Sequence, residues 1–199
     1  MARSRMPTPL LLAASLLFSF AARAQTAVKV PMHCTHGDDN QTFSATVTAP
    51  ASRPPGAVLH LRIDGTPSGE IKHIGLHYLH DMATDYTLPT GATYVEGSAR
   101  LVAGTGTANV LPKASLQHQG RKLRLLLPAH VENGTSYTPP SFEFELRLTA
   151  PAGKKVSVQF SGYRLVANAA VAGDVVTTCV PVPTPYPIAT VRVGGAAAR

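Results

Sequence analysis

Ser141 to Thr149 constrains the fold more than any other stretch. Phe142, Phe144, Leu146 and Leu148 alternate with Glu143, Glu145 and Arg147. A period of two suits an extended strand with one buried and one wet face, and no helix can use it. Lys155 to Phe160 repeats the pattern, with Val156, Val158 and Phe160 against Lys155, Ser157 and Gln159. Pro151-Ala-Gly153 between them is a turn signal, so the two segments predict a hairpin. Further strands are predicted at Ala27 to Val30, Phe43 to Ala49, Ala57 to Ile63, Glu70 to Leu79 and Ala92 to Val102. Lys122 to Leu127, Val175 to Cys179 and Ile188 to Val193 continue the series. Breakers such as Pro54-Pro55-Gly56, Pro89-Thr-Gly91, Asn133-Gly134 and Pro139-Pro140 separate them, and no stretch has a convincing 3.6-residue period. Short strands cut by Gly- and Pro-rich turns predict an all-β, antiparallel β-sandwich, with a small closed barrel as the rival. In Val180 to Pro187 proline stands at every second position, which predicts an extended segment at an edge or across the surface.

The N-terminus reads as an address. Arg3 and Arg5 form a positive region, Leu10 to Ala22 an apolar one, and Ala22-Arg23-Ala24 a small-x-small cleavage site. Residues 1–24 are therefore expected to be a signal peptide, 25–193 a single β-sandwich domain and 194–199 a flexible tail. The apolar run is shorter than the roughly 20 residues of a spanning helix and none like it follows. A secreted protein is expected, extracellular or periplasmic, with no transmembrane segment after cleavage. Cleavage removes three of 18 basic residues and leaves 15 against 11 acidic ones, a net charge of +4. The remaining Lys and Arg are scattered, so a nucleic-acid partner is not expected. Cys34 and Cys179 survive cleavage into an oxidising compartment, and two cysteines near opposite ends read as one disulfide.

Leu88-Pro-Thr-Gly91-Ala-Thr-Tyr94-Val95-Glu-Gly97-Ser98 resembles a stretch of Ig-like repeats in bacterial surface proteins. The early cysteine, this segment, Pro139-Pro140-Ser-Phe142 and Cys179-Val-Pro181 together resemble secreted actinobacterial proteins of unknown function. The resemblance implies an Ig-like β-sandwich and brings no catalytic residues.

The chemistry-bearing residues are mostly histidines. Lys72-His73-Ile-Gly-Leu-His77-Tyr-Leu-His80-Asp81 is the densest group. On a helix His73, His77 and His80 would share a face and could chelate Zn²⁺ or Cu²⁺. On a strand His73 and His77 would lie ~13 Å apart, with His80 on the other face beside Ile74, Leu76 and Tyr78. Gly75 and the β context favour the strand, so no cofactor is the expectation and Zn or Cu the exception. Met32-His33-Cys34-Thr35-His36 is a poor blue-copper set, because Cys34 is committed to the disulfide and the cluster lies near the wrong end. His36-Gly37-Asp38-Asp39-Asn40 lacks the alternating acids of a calcium loop. No G-x-S-x-G occurs, Gly104 to Asn109 lacks a dinucleotide loop's third glycine, and Asn133-Gly-Thr135 is a formal glycosylation sequon. With no catalytic set, the expected function is a secreted non-enzymatic binding module whose partner is a protein, an envelope component or an apolar ligand. An exported metal-binding protein using His73, His77 and His80 is the alternative, and a small secreted hydrolase or isomerase comes last.

Overall fold

The computed structural model describes residues 23–36, 41–107, 113–128 and 130–194. The predicted signal peptide thus falls almost wholly outside the described residues, as do Gly37 to Asn40 and Gly195 to Arg199.

Among the described residues fourteen strands follow in chain order: β1 (Arg23–Cys34), β2 (Gln41–Pro50), β3 (Ser52–Arg53), β4 (Val58–Gly65), β5 (Leu76–Thr87), β6 (Ala92–Tyr94) and β7 (Arg100–Leu101). Then come β8 (Ser115–Gln119), β9 (Lys122–Leu127), β10 (Val131–Glu132), β11 (Phe142–Leu148), β12 (Lys155–Ala169), β13 (Gly173–Pro181) and β14 (Tyr186–Val193). Their hydrogen-bonded order is β6-β11-β4-β2-β1-β13-β12-β5-β9-β8. The β6-to-β1 half forms one layer and the β13-to-β8 half the other. All pairings are antiparallel except the two-residue β14–β3 contact. The protein is an all-β antiparallel sandwich whose N- and C-terminal regions are joined by a disulfide.

The alternation read from the sequence sets the core. Phe142, Phe144, Leu146 and Leu148 are buried from the first layer, and Val156, Val158 and Phe160 from the second. The layers interlock where Phe43 stacks on Phe160 at 4.2 Å between ring centroids and Tyr86 meets Phe142 at 5.4 Å. At one side Tyr94 of β6 stacks on His118 of β8 at 3.8 Å, joining the outermost strands of the two layers. The layers also join covalently. Cys34 and Cys179 face each other across the β1–β13 pairing and form the disulfide, so the bridge ties the N- and C-terminal regions at the seam between the layers.

Four expectations need correction. Ser141 to Thr149 and Lys155 to Phe160 are not a hairpin: β11 pairs with β4, β6 and β7, whereas β12 pairs with β5, β13 and β14. Both apolar faces point into one core, and Pro151 to Gly153 carries the chain across the end of the sandwich from one layer to the other. The strand predicted over Glu70 to Leu79 begins only at Leu76 and runs on to Thr87, because Gly75 at φ 79° turns the chain just before it. The strand predicted over Ala92 to Val102 is two, β6 and β7, separated by a turn in which Tyr94 Oη accepts the Ala99 N–H at 3.1 Å. The proline run is bent rather than extended. Val182 to Pro185 bends out between β13 and β14, with cis bonds before Pro183 and Pro185. Both strands pair along the same edge of β12, residues 173–179 against 169–163 and 186–192 against 160–155.

β12 itself continues nine residues past Phe160. At Ser161 and Gly162 its pairing with β5 slips, so the inward positions pass from Phe160 to Tyr163. Gly162 has φ 134°, and a Cβ there would stand 2.4 Å from the Cys179 carbonyl oxygen. Only glycine lets β12 and β13 approach so closely.

Candidate functional site

The end of the second layer where β12 turns into β13 carries the most exposed apolar side chains. Ile74 and Val171 are fully exposed, at 109% and 101%. They belong to two loops that touch: Ala170 donates its N–H to Gly75 O at 2.7 Å, extending the Leu76–Ala169 pairing by one step. Ile74 and Val171 thus project from adjoining turns, each clear of the surface.

The Ile74 loop is held from its other side too. The Asn133 side chain works as a backbone mimic, accepting the His73 N–H at 3.2 Å and donating to His73 O at 3.1 Å. Gly134 donates to Ile71 O at 2.7 Å and Ile71 to Thr135 O at 2.9 Å. Asn133 N–H bonds His77 O at 2.9 Å, and Ser68 N–H bonds Tyr137 O at 2.8 Å. The sequon asparagine is therefore a clamp. Its hydrogen bonds hold in place the loop that presents Ile74.

Beside the tip lie the histidines singled out from the sequence. His73 sits in the clamped loop, exposed, and His77 is exposed on β5. His80 is half-buried on the outer face, with Nδ1 3.0 Å from Asp81 Oδ2 and Nε2 3.4 Å from Asp174 Oδ1. The second contact is within ion-pair range but is not aligned as a hydrogen bond. Asp81 has φ 48° and lies where the β5–β12 register slips, which sets His80 and Asp81 side by side. The Asn168 amide, and after it His80, hold the Asp174 carboxyl below its usual range. The His130 ring lies tilted against Tyr78 at 3.8 Å between centroids and reaches Glu132 at 2.8 Å. Among the described residues no three His, Cys, Asp or Glu side chains are gathered as ligands for one metal ion. His73, His77 and His80 are neighbours in the chain, and His80 is turned to carboxylates rather than to the other two. His36 is exposed beyond the end of β1, and the rest of the calcium-like segment lies outside the described residues.

The outer face of the first layer is polar. Arg62 pairs with Asp64 at 2.7 Å and Glu143 at 3.6 Å, Arg100 with Glu143 at 2.7 Å, and His60 with Glu145 at 2.9 Å. Burial pushes the Asp64 carboxyl up, but its bonds to Arg62 and Ser141 outweigh this and hold it low. Half-exposed pairs of this kind contribute at most about 1 kcal/mol each. They line an open depression of ≈ 190 Å³. A second depression, of ≈ 270 Å³, is lined by Ala24, Ala49, Pro50, Ala51, Ile188 and Ala189 among others. Both fall below the ~300–1,000 Å³ of typical small-molecule pockets. In the interior, burial raises the Tyr137 and Tyr163 phenols to about 12.

Neither a protein-family model nor a curated protein matches this chain. Solved structures do resemble it. The collagen-binding domain of a Staphylococcus aureus adhesin aligns over 73% of this chain and 95% of that one, at 9% identity and a TM-score of 0.37. The major pilin subunit of Bacillus cereus aligns over 89% and 49%, at 11% identity and a TM-score of 0.42. Domains D2 and D3 of a major pilin of Corynebacterium diphtheriae align over 69% and 51%, at 11% identity and a TM-score of 0.39. The chain spans about half the length of each pilin structure. These structures are of an adhesin domain and two pilins, and the likeness is one of strand architecture alone. Among the described residues no helix is long and apolar enough to cross a membrane.

The tip was not legible as a site. Ile74 stands inside a segment that looks like a strand, and Val171 in Ala169-Ala-Val-Ala-Gly173 looks like filler. The signals that could have flagged them are Gly75 and Gly173, which end strands on either side.

Proposed function

We infer that the protein is an exported, non-catalytic binding module that engages its partner through the tip formed by Ile74 and Val171. One observation carries this reading: two fully exposed aliphatic side chains are displayed by loops held in place by hydrogen bonds. Exposed aliphatic groups are costly to leave in water, and burying each against a partner contributes ~1.5–3 kcal/mol. Because the loops are already ordered, little entropy is lost on binding. Export is supported by the leader-like N-terminus and by a disulfide, which forms and persists in oxidising compartments. Absence of a catalytic motif in the sequence supports binding over turnover.

The test is a photo-crosslinking residue placed at position 74 or 171, and at Gln117 on exposed β8 as control, in the producing cells. A discrete adduct from the two tip positions and none from Gln117 is expected. Equal labelling from all three, or turnover by the pure protein that one polar substitution abolishes without unfolding it, would overturn the reading.

A further inference from the structure

Resting on that reading of the tip, we propose that the partner it fits is a second copy of this chain, docked head to tail. Ile74 and Val171 of one molecule enter the depression between β2 and β14 at the far end of the next. Three features of the molecule lead there.

The first is shape and polarity. The tip carries two protruding aliphatic side chains, and the ≈ 270 Å³ depression has Val47, Ala49, Pro50, Ala51, Ile188 and Ala189 on its walls, with Thr26 and Thr190 among them. The second is position. Val171 follows the C-terminal end of β12, while Ile188 to Thr190 lie along its N-terminal half, through Val158–Ala189 and Ser157–Thr190. Fifteen residues of strand put roughly 45 Å between the ends, so a molecule cannot fill its own depression.

The third is charge. Flanking the tip loops in the chain or by strand pairing stand Glu70, Glu132 and Asp174 against Lys72, three carboxylates to one ammonium, or −2 with the histidines neutral. The other end is its opposite. Lys155 pairs with Arg192, Arg192 N–H bonds Ala51 O, and Arg53 lies beside Val193, whose N–H bonds Lys154 O. Arg53, Lys154, Lys155 and Arg192 thus gather +4 beside the depression, and residues 50–58, 147–158 and 187–194 contain no carboxylate. Arg53 Nε is buried without an acceptor among the described residues. A chain with an acidic, aliphatic tip at one end and a depression set among basic groups at the other is complementary to itself. Because the two surfaces differ, the contact is heterologous: every docked molecule leaves one tip and one depression free, and the assembly grows without closing.

Sedimentation velocity of the purified chain across a range of concentrations tests this. The expected result is mass growing past the dimer with concentration, and less so in about 0.5 M salt, which screens the end charges. Ile74→Asp alters the tip, and Ala51→Glu puts a carboxylate on an exposed rim of the depression. Each alone should weaken self-association at least tenfold. Mixed, they should form a 1:1 heterodimer and stop, since one retains a working depression and the other a working tip. A chain that stays monomeric throughout, or assemblies that neither variant alters, or a mixture that forms no heterodimer, would overturn the proposal. A monomer whose position 74 still crosslinks to another polypeptide would sink self-docking and leave the binding reading standing.

Discussion

Breaking the Cys34–Cys179 bridge tests whether the seam between the layers is held as described. The bridged residues are 145 apart in sequence. Closing so long a loop costs the unfolded chain about 17 cal/mol/K, or about 5 kcal/mol at 25 °C in the chain-entropy model. Substituting both buried half-cystines by alanine would add a cavity penalty of its own. The cleaner perturbation is reduction, which keeps both sulfurs in place. Urea unfolding of oxidised and fully reduced protein, followed in parallel by circular dichroism and tyrosine fluorescence, measures the difference. With a slope of about 2 kcal/mol/M, the midpoint should fall by about 2.5 M on reduction. The slope should also rise, because an uncrosslinked unfolded chain exposes more surface. A midpoint shift under about 0.5 M would refute the entropic argument and would mean that the β1–β13 contact persists in the unfolded chain without its crosslink.

Three other outcomes are expected. Gly162→Ala forces a Cβ onto the Cys179 carbonyl at a φ of 134°, so it should cost more than the ~1–3 kcal/mol of backbone strain alone; chemical unfolding would show it, and a loss under about 0.5 kcal/mol would mean that the bulge is not rigid. Tyr137 and Tyr163 have phenols raised by burial from 10.0 to about 12, so their contribution is whole below pH 10 and is lost as the pH climbs through 12. Urea midpoints should fall over that window in step with phenolate absorbance, less steeply in Tyr163→Phe, and a flat profile would contradict the burial. Zn²⁺ or Cu²⁺ should move the melting temperature by less than about 1 °C, because His80 is turned to Asp81 and Asp174; a clear rise, lost in His77→Ala, would restore the histidine segment as a metal site.

Local alternation determined a good deal by itself. Phe142 to Leu148 needed no tertiary context to be a strand with its aromatic face inward, nor did Lys122 to Leu127, because a period of two is set by backbone geometry. Two cysteines near opposite ends of the chain were enough to pair Cys34 with Cys179. Which strand lies beside which could not be read in this way. Pro151 to Gly153 has the same turn chemistry whether it closes a hairpin or carries the chain between layers, and only the need to bury both apolar faces in one core decides. The proline run bends because β12 is long enough to hold β13 and β14 on one edge. His80 turns to Asp174, and the Ile74 turn comes to rest against the Val171 turn, through contacts between residues about 95 positions apart. Pattern is a property of neighbours in the chain, whereas a site is a property of neighbours in space, and in this sandwich the second set is chosen by the core that both layers share.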